Sequence, residues 1–472
     1  MKKLLAALFL FTTINFSAQY LVSCNYVSST PAVILNVLTG LTLDYDVQTY
    51  KMIYNTVDVN GQPTIASGAF IIPSTNNCDE FPIAVYLHGT SLKKTDVPSS
   101  VTQETLIGQA FSGGGYFACM PDYIGMGESP GLHPYIHAES EATSAIDMVR
   151  AAREFISDSL GMIDNGEVFL TGYSQGGHAC MATNKYIQDN NLESEFNVIA
   201  SAPCSGPYAL SITMADTITS LMPYSNPGYI TYMLASYQLV YGNIFNSWSE
   251  ILQSPFDTIV PPFFNGSNTT LDMGMLNALL PSVVDSLIQD SVLTNFVNDS
   301  VNKNHPLWLA LLDNDNYDWN PLNPVNMYYC TADEQVAYEN ALLADSVMNE
   351  NGAFDVQSIN SGSGLNHGEC VLPALTSTFN WFQTLKTSCS SGVGILSSEN
   401  QFNLYPNPSS DILKLSLNGE AEVKIYSTMG RLIYDRTISA QENIKVEQWA
   451  KGLYLVEIKQ GKFVNKEYFL KN

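Results

Sequence analysis

The stretch Gly172-Tyr173-Ser174-Gln175-Gly176 constrains the fold of this chain more than any other. The residues before it, Glu167-Val168-Phe169-Leu170-Thr171, read as a buried strand, and those after it, Gly177-His178-Ala179-Cys180-Met181-Ala182, as a helix. A serine flanked in this way sits on a sharp strand-to-helix turn that lifts its hydroxyl above a sheet. The turn imposes strained backbone geometry on the serine. It also leaves no room for a Cβ at the flanking glycines, where the strand or helix approaches closely.

Such an elbow needs a parallel sheet around it, and the surrounding sequence supplies one. Residues 64–73, 82–87 and 116–123 read as strands, and 141–156 carries apolar residues at helical spacing. After the elbow come a strand at 197–203 and another at 325–330, a helix near 335–348, a strand at 354–358 and a helix at 372–385. Strands alternating with helices predict an α/β fold with a mostly parallel sheet. Residues 209–320 break the rhythm with Pro, Asn, Gly, many aromatics and short helical runs, and read as an inserted helical cap. The Ser/Gly-rich stretch 389–402 reads as a linker. Beyond it, 403–472 alternates apolar and polar residues in runs such as 412–417, 423–426 and 453–458, which predicts a small all-β sandwich.

The 472 residues carry 45 acidic against 20 basic side chains, a formal net charge of −25. That argues against nucleic acid and anionic membrane surfaces as partners. Residues 403–472 hold ten lysines and arginines against eight acidic residues, so the acidity belongs to the larger domain. Lys2-Lys3, the apolar run 4–11 and the small pair Ser17-Ala18 form a signal peptide over 1–18, which predicts export. Leu21-Val22-Ser23-Cys24 is a second, looser reading of the same end, as a lipoprotein box. No stretch reaches the roughly 18 apolar residues of a transmembrane helix. Eight cysteines on an oxidising route predict disulfides, but spacing does not give their connectivity. Cys119, Cys204 and Cys330 end buried strands and read as packed thiols, leaving Cys370–Cys389 and Cys24–Cys78 as the expected bridges. No spacing suggests a metal site.

A serine hydroxyl is a weak nucleophile until a base and an orienting carboxylate reach it. On an elbow of this kind the partners follow in the order Ser, Asp or Glu, His. Beyond the elbow and its helix, only His305 and His367 lie downstream. His305 falls inside the cap, whereas His367 falls in a loop between the last strand and the last helix, where a base is presented. Asp333 directly follows the strand 325–330 and is the expected acid, with Glu334 its nearest competitor and helix capping its structural alternative. Charge developing on the attacked oxygen needs fixed N–H donors, expected from Gln175 and from Thr90 or Gly89 after the strand 82–87.

His88-Gly89-Thr90, Pro121-Asp122-Tyr123-Ile124-Gly125-Met126-Gly127, His133-Pro134-Tyr135, Glu139-Ser140-Glu141, the elbow, Asp333 and His367 together resemble the α/β-hydrolases, and among them the secretory lipase group. The resemblance spans residues 80–390 and implies a carboxylic ester hydrolase, acting through an acyl-serine and needing no cofactor, on a small-molecule or lipid ester. An esterase for acetyl or feruloyl groups on polysaccharide, a prolyl-type peptidase and a non-catalytic binding protein are the alternatives on the same fold. The tail resembles the C-terminal sorting domain of Bacteroidetes type IX secretion cargo. The resemblance rests on Tyr405-Pro406-Asn407-Pro408, Val423-Lys424-Ile425-Tyr426-Ser427-Thr428-Met429-Gly430-Arg431 and Gly452-Leu453-Tyr454-Leu455-Val456. It implies a secreted protein that engages the secretion machinery through residues 403–472.

Overall fold

The computed structural model describes residues 19–75, 78–220, 222–389, 402–417, 419–427, 431–460 and 463–472. The signal peptide at 1–18 and most of the linker lie outside them, as do residues 428–430 of the tail motif. The chain divides into two compact units, one ending at residue 390 and the other beginning at 391.

The first unit is built on nine strands: β1 Leu21–Thr30, β2 Asp46–Val57, β3 Pro63–Ser74, β4 Glu80–Leu87, β5 Phe117–Pro121, β6 Ile163–Tyr173, β7 Asn197–Cys204, β8 Val325–Cys330 and β9 Val356–Gly362. Their order is β1-β2-β3-β5-β4-β6-β7-β8-β9. The first three strands run antiparallel up to the β3–β5 pair, and β5 to β9 are mutually parallel. Helices α1 Ala32–Thr39, α2 Thr105–Gly113, α3 Ala138–Phe155 and α4 Gln175–Asp189 precede the cap. Helices α12 Glu339–Glu350 and α13 His367–Leu385 follow it.

From Phe81 to Leu87 β4 is apolar and buried at every position because both faces are covered. Side chains alternate between two separate cores. Ile83, Val85 and Leu87 of β4 and Val168 and Leu170 of β6 pack with α3 and α4 on one face. Ala84, Tyr86 and Phe169 pack with α1, α2 and α13 on the other. Each such large apolar side chain contributes about 1.5–3 kcal/mol when fully buried. The helix α12 adds Ala341, Ala344 and Met348 to a smaller cluster with Met181, Val325 and Met327.

Between β7 and β8 the chain leaves the sheet. Among the described residues seven α-helices occupy this stretch: α5 Ala215–Thr219, α6 Gly228–Tyr241, α7 Trp248–Ile251, α8 Phe256–Ile259, α9 Met273–Leu279, α10 Asp290–Asn298 and α11 Pro306–Asp313. They enclose their own core, which holds Tyr232, Tyr237, Phe263 and Phe264. The Tyr232 ring stacks on Tyr135 at 4.4 Å, and the Tyr237 hydroxyl donates to the Ile136 carbonyl at 3.1 Å. The layer of helices is thereby fastened to the loop that precedes α3.

The second unit has a three-stranded sheet, β10 Phe402–Tyr405, β11 Ile412–Leu417 and β14 Gln441–Lys445, in the order β10-β11-β14. A four-stranded sheet joins β12 Ala421–Ser427, β13 Leu432–Ile438, β15 Gly452–Gln460 and β16 Phe463–Lys471 in the order β13-β12-β15-β16. Leu413, Leu415, Val423, Ile425, Val456 and Ile458 face one shared core, so the alternation seen in the sequence is that of a sandwich.

Three sequence expectations are corrected. The bridges are Cys78–Cys389 and Cys330–Cys370, not Cys370–Cys389 and Cys24–Cys78. Helix α13 runs back along the sheet, so it carries Cys389 away from Cys370 to Cys78 at the start of β4. Cys330, expected as a packed thiol, faces Cys370 with 5.9 Å between Cα atoms. Cys24 pairs with Met52 in the edge strand β1, where burial pushes its thiol up to about 12. That placement in a hydrogen-bonded strand also disfavours the lipoprotein reading. Finally, both ends of the linker are ordered: Cys389 is bridged, and Phe402 opens β10 opposite Leu417.

Candidate active site

The parallel strands end on one edge of the sheet, and Ser174, Asp333 and His367 lie in the segments that follow β6, β8 and β9 there. This is the edge at which open α/β sheets bind ligands. Ser174 stands between β6 and α4 with φ 61° and ψ −120°, outside the regions comfortable for a residue with a Cβ. Its N–H donates to the Cys204 carbonyl of β7 at 2.9 Å, which pins the turn to the sheet. A Cβ on Gly176 would lie 1.8 Å from the Leu87 carbonyl oxygen, and one on Gly172 would lie 2.2 Å from that of Gly176. The two glycines therefore let α4 start against β4 without a gap.

His367 is the first residue of α13. The side chain of Asn366 caps the helix by accepting from the Glu369 N–H, while the Glu369 carboxylate accepts from the Asn366 N–H. The cap sets where the helix begins and thus where the imidazole emerges. His367 Nδ1 lies 2.7 Å from Asp333 Oδ2, with side-chain exposures of 8% and 1%. The other Asp333 oxygen accepts from the N–H groups of Gln335 and Val336 at 3.0 and 2.9 Å. One Asp333 oxygen thus meets the imidazole and the other caps the turn that follows. Glu334 accepts from the His367 backbone N–H at 3.0 Å, so it holds the main chain and not the ring.

Tyr173 was not singled out from the sequence, yet it joins elbow and base. Its hydroxyl donates to the His367 carbonyl at 2.6 Å, and the two rings lie 5.1 Å apart. The disulfide Cys330–Cys370 brackets Asp333 and His367. Cys330 lies three residues before Asp333 and Cys370 three after His367, so the bridge cross-links the Asp333 loop to helix α13. Breaking it by Cys330→Ala with Cys370→Ala is expected to remove up to about 4 kcal/mol of stability, the loop-closure value for this separation of 40 residues. It is also expected to lower kcat. Urea unfolding and turnover per active site, measured on the same preparation, check both.

Of the three oxyanion candidates, Gln175 opens α4, where an N–H has no acceptor within the helix. The Gly89 N–H is already given to Glu104 Oε2 at 3.2 Å. Among the described residues no acceptor takes the Thr90 N–H. The Gly89 carbonyl lies 2.7 Å from His88 Nδ1. Because a trans peptide points C=O and N–H in opposite directions, that bond also sets the direction of the Thr90 N–H.

Ser174 and Gln175 line one wall of a cavity of about 100 Å³. The other walls are apolar side chains of the helical layer, among them Leu210, Met214, Ile230, Leu293 and Phe296, with Tyr224 and Tyr229. Both tyrosines donate to Gln335, one to its carbonyl at 2.9 Å and one to its side chain at 2.9 Å, which ties this wall to the Asp333 loop. His305 caps α11 instead, accepting from the Leu307 N–H through Nδ1.

The chain can now be set beside known proteins. Residues 403–471 match the model of the secretion system C-terminal sorting domain. No curated protein matches the chain in sequence. Among solved structures it resembles the rice cell wall degrading esterase LipA of Xanthomonas oryzae in a ligand-bound form, with 28% identity over 77% of this chain and 97% of that one and a TM-score of 0.69. A Legionella pneumophila protein assigned to the hydrolases gives 26% identity over 78% and 98%, with a TM-score of 0.70. Lipase A of Candida antarctica, at 16% identity over 79% and 84% with a TM-score of 0.55, shares the fold. The first unit has the α/β-hydrolase fold, and the second is a type IX sorting domain that marks secreted cargo. These likenesses support a secreted hydrolase. Among the described residues no helix is long and apolar enough to cross a membrane.

Proposed function

We propose that this exported α/β-hydrolase is a serine esterase for carboxylic esters with an apolar acyl group. The observation that carries the reading is the 2.7 Å bond between Asp333 and His367 on the edge where Ser174 meets an apolar cavity. Asp333 accepts the Nδ1–H of His367, which leaves Nε2 as the basic atom. Nε2 takes the Ser174 hydroxyl proton as Oγ bonds to the ester carbonyl carbon, and the carbonyl electron pair moves onto oxygen. The N–H groups of Gln175 and Thr90 receive that oxyanion. The pair returns as the carbon–alkoxide bond breaks, and Nε2 gives its proton to the departing alcohol. Water, activated by the same nitrogen, then releases the acid from the acyl-serine.

The apolar side chains around the cavity favour an alkyl acyl group. Its measure is a series of nitrophenyl esters from acetate upward. The value of kcat/KM is expected to rise by up to about fourfold per added methylene until the cavity is full, the value of burying one such group. A second reading, deacylation of polysaccharide, draws on the likeness to the cell wall degrading esterase. An enzyme fastest on acetate and active on acetylated or feruloylated glycans belongs to that reading instead.

A further inference from the structure

Behind the elbow lies a second carboxylate–imidazole pair that the reaction above does not use. Glu141, in the first turn of α3, and His178, on α4, both have side chains at 0% exposure. Glu141 Oε2 accepts from His178 Nδ1–H at 2.7 Å, and Oε1 accepts from the side-chain amide of Gln175 at 2.8 Å. Residues 175 and 178 are three apart on one helix and share a face. A single carboxylate thus grips the first turn of α4 at two points. The Gln175 amide also meets His133 Nε2 at 2.7 Å. His133 gives its Nδ1–H to the Ile124 carbonyl at 2.9 Å, so Nε2 presents a lone pair. Burial pulls His133 down to about 3, which keeps that lone pair free of a proton. His178 Nε2 lies 2.9 Å from the Asn314 carbonyl, just past α11. Burial alone would lower His178, but Glu141 and that carbonyl outweigh it and hold the ring above its ordinary value.

We infer that Glu141 is a positioning residue: by gripping the Gln175 side chain and His178 together, it holds the Gln175 backbone N–H on the oxyanion. The inference rests on the proposed role of Ser174. An N–H at the start of a helix turns with that first turn, and the amide and imidazole are hydrogen-bonded from that turn to Glu141 of α3. Without Glu141 the amide keeps only its bond to His133, and a buried imidazole loses its counter-charge.

Glu141→Gln and Gln175→Met test this separately and together. Both keep the backbone N–H and nearly the same side-chain volume. Active sites are counted by end-point titration with a fluorophosphonate, and kcat is given per site. Each variant is expected to lose about 10- to 100-fold in kcat, less than the ~10²–10³ that removal of a whole oxyanion donor costs. KM for nitrophenyl butyrate is expected to stay within about twofold, since ground-state binding is not the target. The double variant is expected to be no worse than the worse single one, because both break one linkage. Affinity for an alkyl trifluoromethyl ketone, whose serine adduct carries an oxyanion, is expected to fall by the same factor as kcat/KM. The inference is overturned if Gln175→Met keeps wild-type kcat per site and ketone affinity, even if Glu141→Gln melts early. Should Glu141→Gln not fold, Gln175→Met decides alone. Absence of fluorophosphonate label on Ser174 in the parent would instead sink the esterase reading itself.

Discussion

Replacing Ser174 by alanine removes at least about 10⁴-fold of kcat on the best nitrophenyl ester, with the melting temperature at or above that of the parent. A nucleophile cannot be deleted in part. Without Oγ no acyl-enzyme forms, and what survives is the contribution of the oxyanion donors and of binding, roughly 10³–10⁴ over water in a serine enzyme stripped of its triad. Stability should not fall, because the hydroxyl has no partner among the described hydrogen bonds and the strained φ of 61° is retained by the glycines around it. Thermal unfolding and single-turnover kinetics on one preparation separate the two statements. A variant that still turns over at more than a hundredth of the parental rate would mean that another group attacks the ester.

Asp333→Asn is the second large effect, and its size follows from the two jobs of that carboxylate. The amide oxygen is expected to remain with the Gln335 and Val336 N–H groups, which need an acceptor at 3.0 and 2.9 Å. The amide nitrogen then occupies the place of Oδ2, 2.7 Å from His367 Nδ1, and sets donor against donor. The imidazole responds by moving its proton to Nε2, the atom that must accept from Ser174. A loss of about 10³–10⁴ in kcat is expected from the wrong tautomer alone, with the capped turn intact. Glu334→Gln is the control. It keeps an oxygen for the His367 backbone N–H and leaves the ring alone, so it should cost less than about tenfold. Equal losses in the two variants would show that the acid had been misassigned.

The legibility of this chain differs from segment to segment for physical reasons. The strands β4, β5 and β7 show as apolar runs because helices cover both faces, and the tail shows as alternation because each of its sheets has one dry face. Helix α2 stayed hidden. Its sequence, Thr-Leu-Ile-Gly-Gln-Ala-Phe-Ser-Gly, carries two glycines that weaken a helical pattern, but Gly108 is there for close approach: a Cβ would meet Met120 Sδ at 2.3 Å. The strands β1 and β2 were not read either. At the antiparallel edge, polar residues such as Thr49 and Thr56 are buried in β2, and the hydrophobic contrast is blurred. The aromatics of the cap divided. Tyr224 and Tyr229 line the cavity, whereas Tyr232, Tyr237, Phe263 and Phe264 serve the core of the helical layer. Which tyrosine does which depends on packing partners far away along the chain.

By itself the sequence determined the elbow, the rhythm of strands and helices and the break before residue 403. Each is written in steric demand or periodicity over a few neighbouring residues. Tertiary structure alone decided the cysteine pairing, the roles of Tyr173 and Glu104, the grip of Glu141 on α4 and the shape of the cavity. Those depend on distances between residues tens to hundreds of positions apart, and such distances are set by strand order and by the return path of α13, which no local pattern encodes.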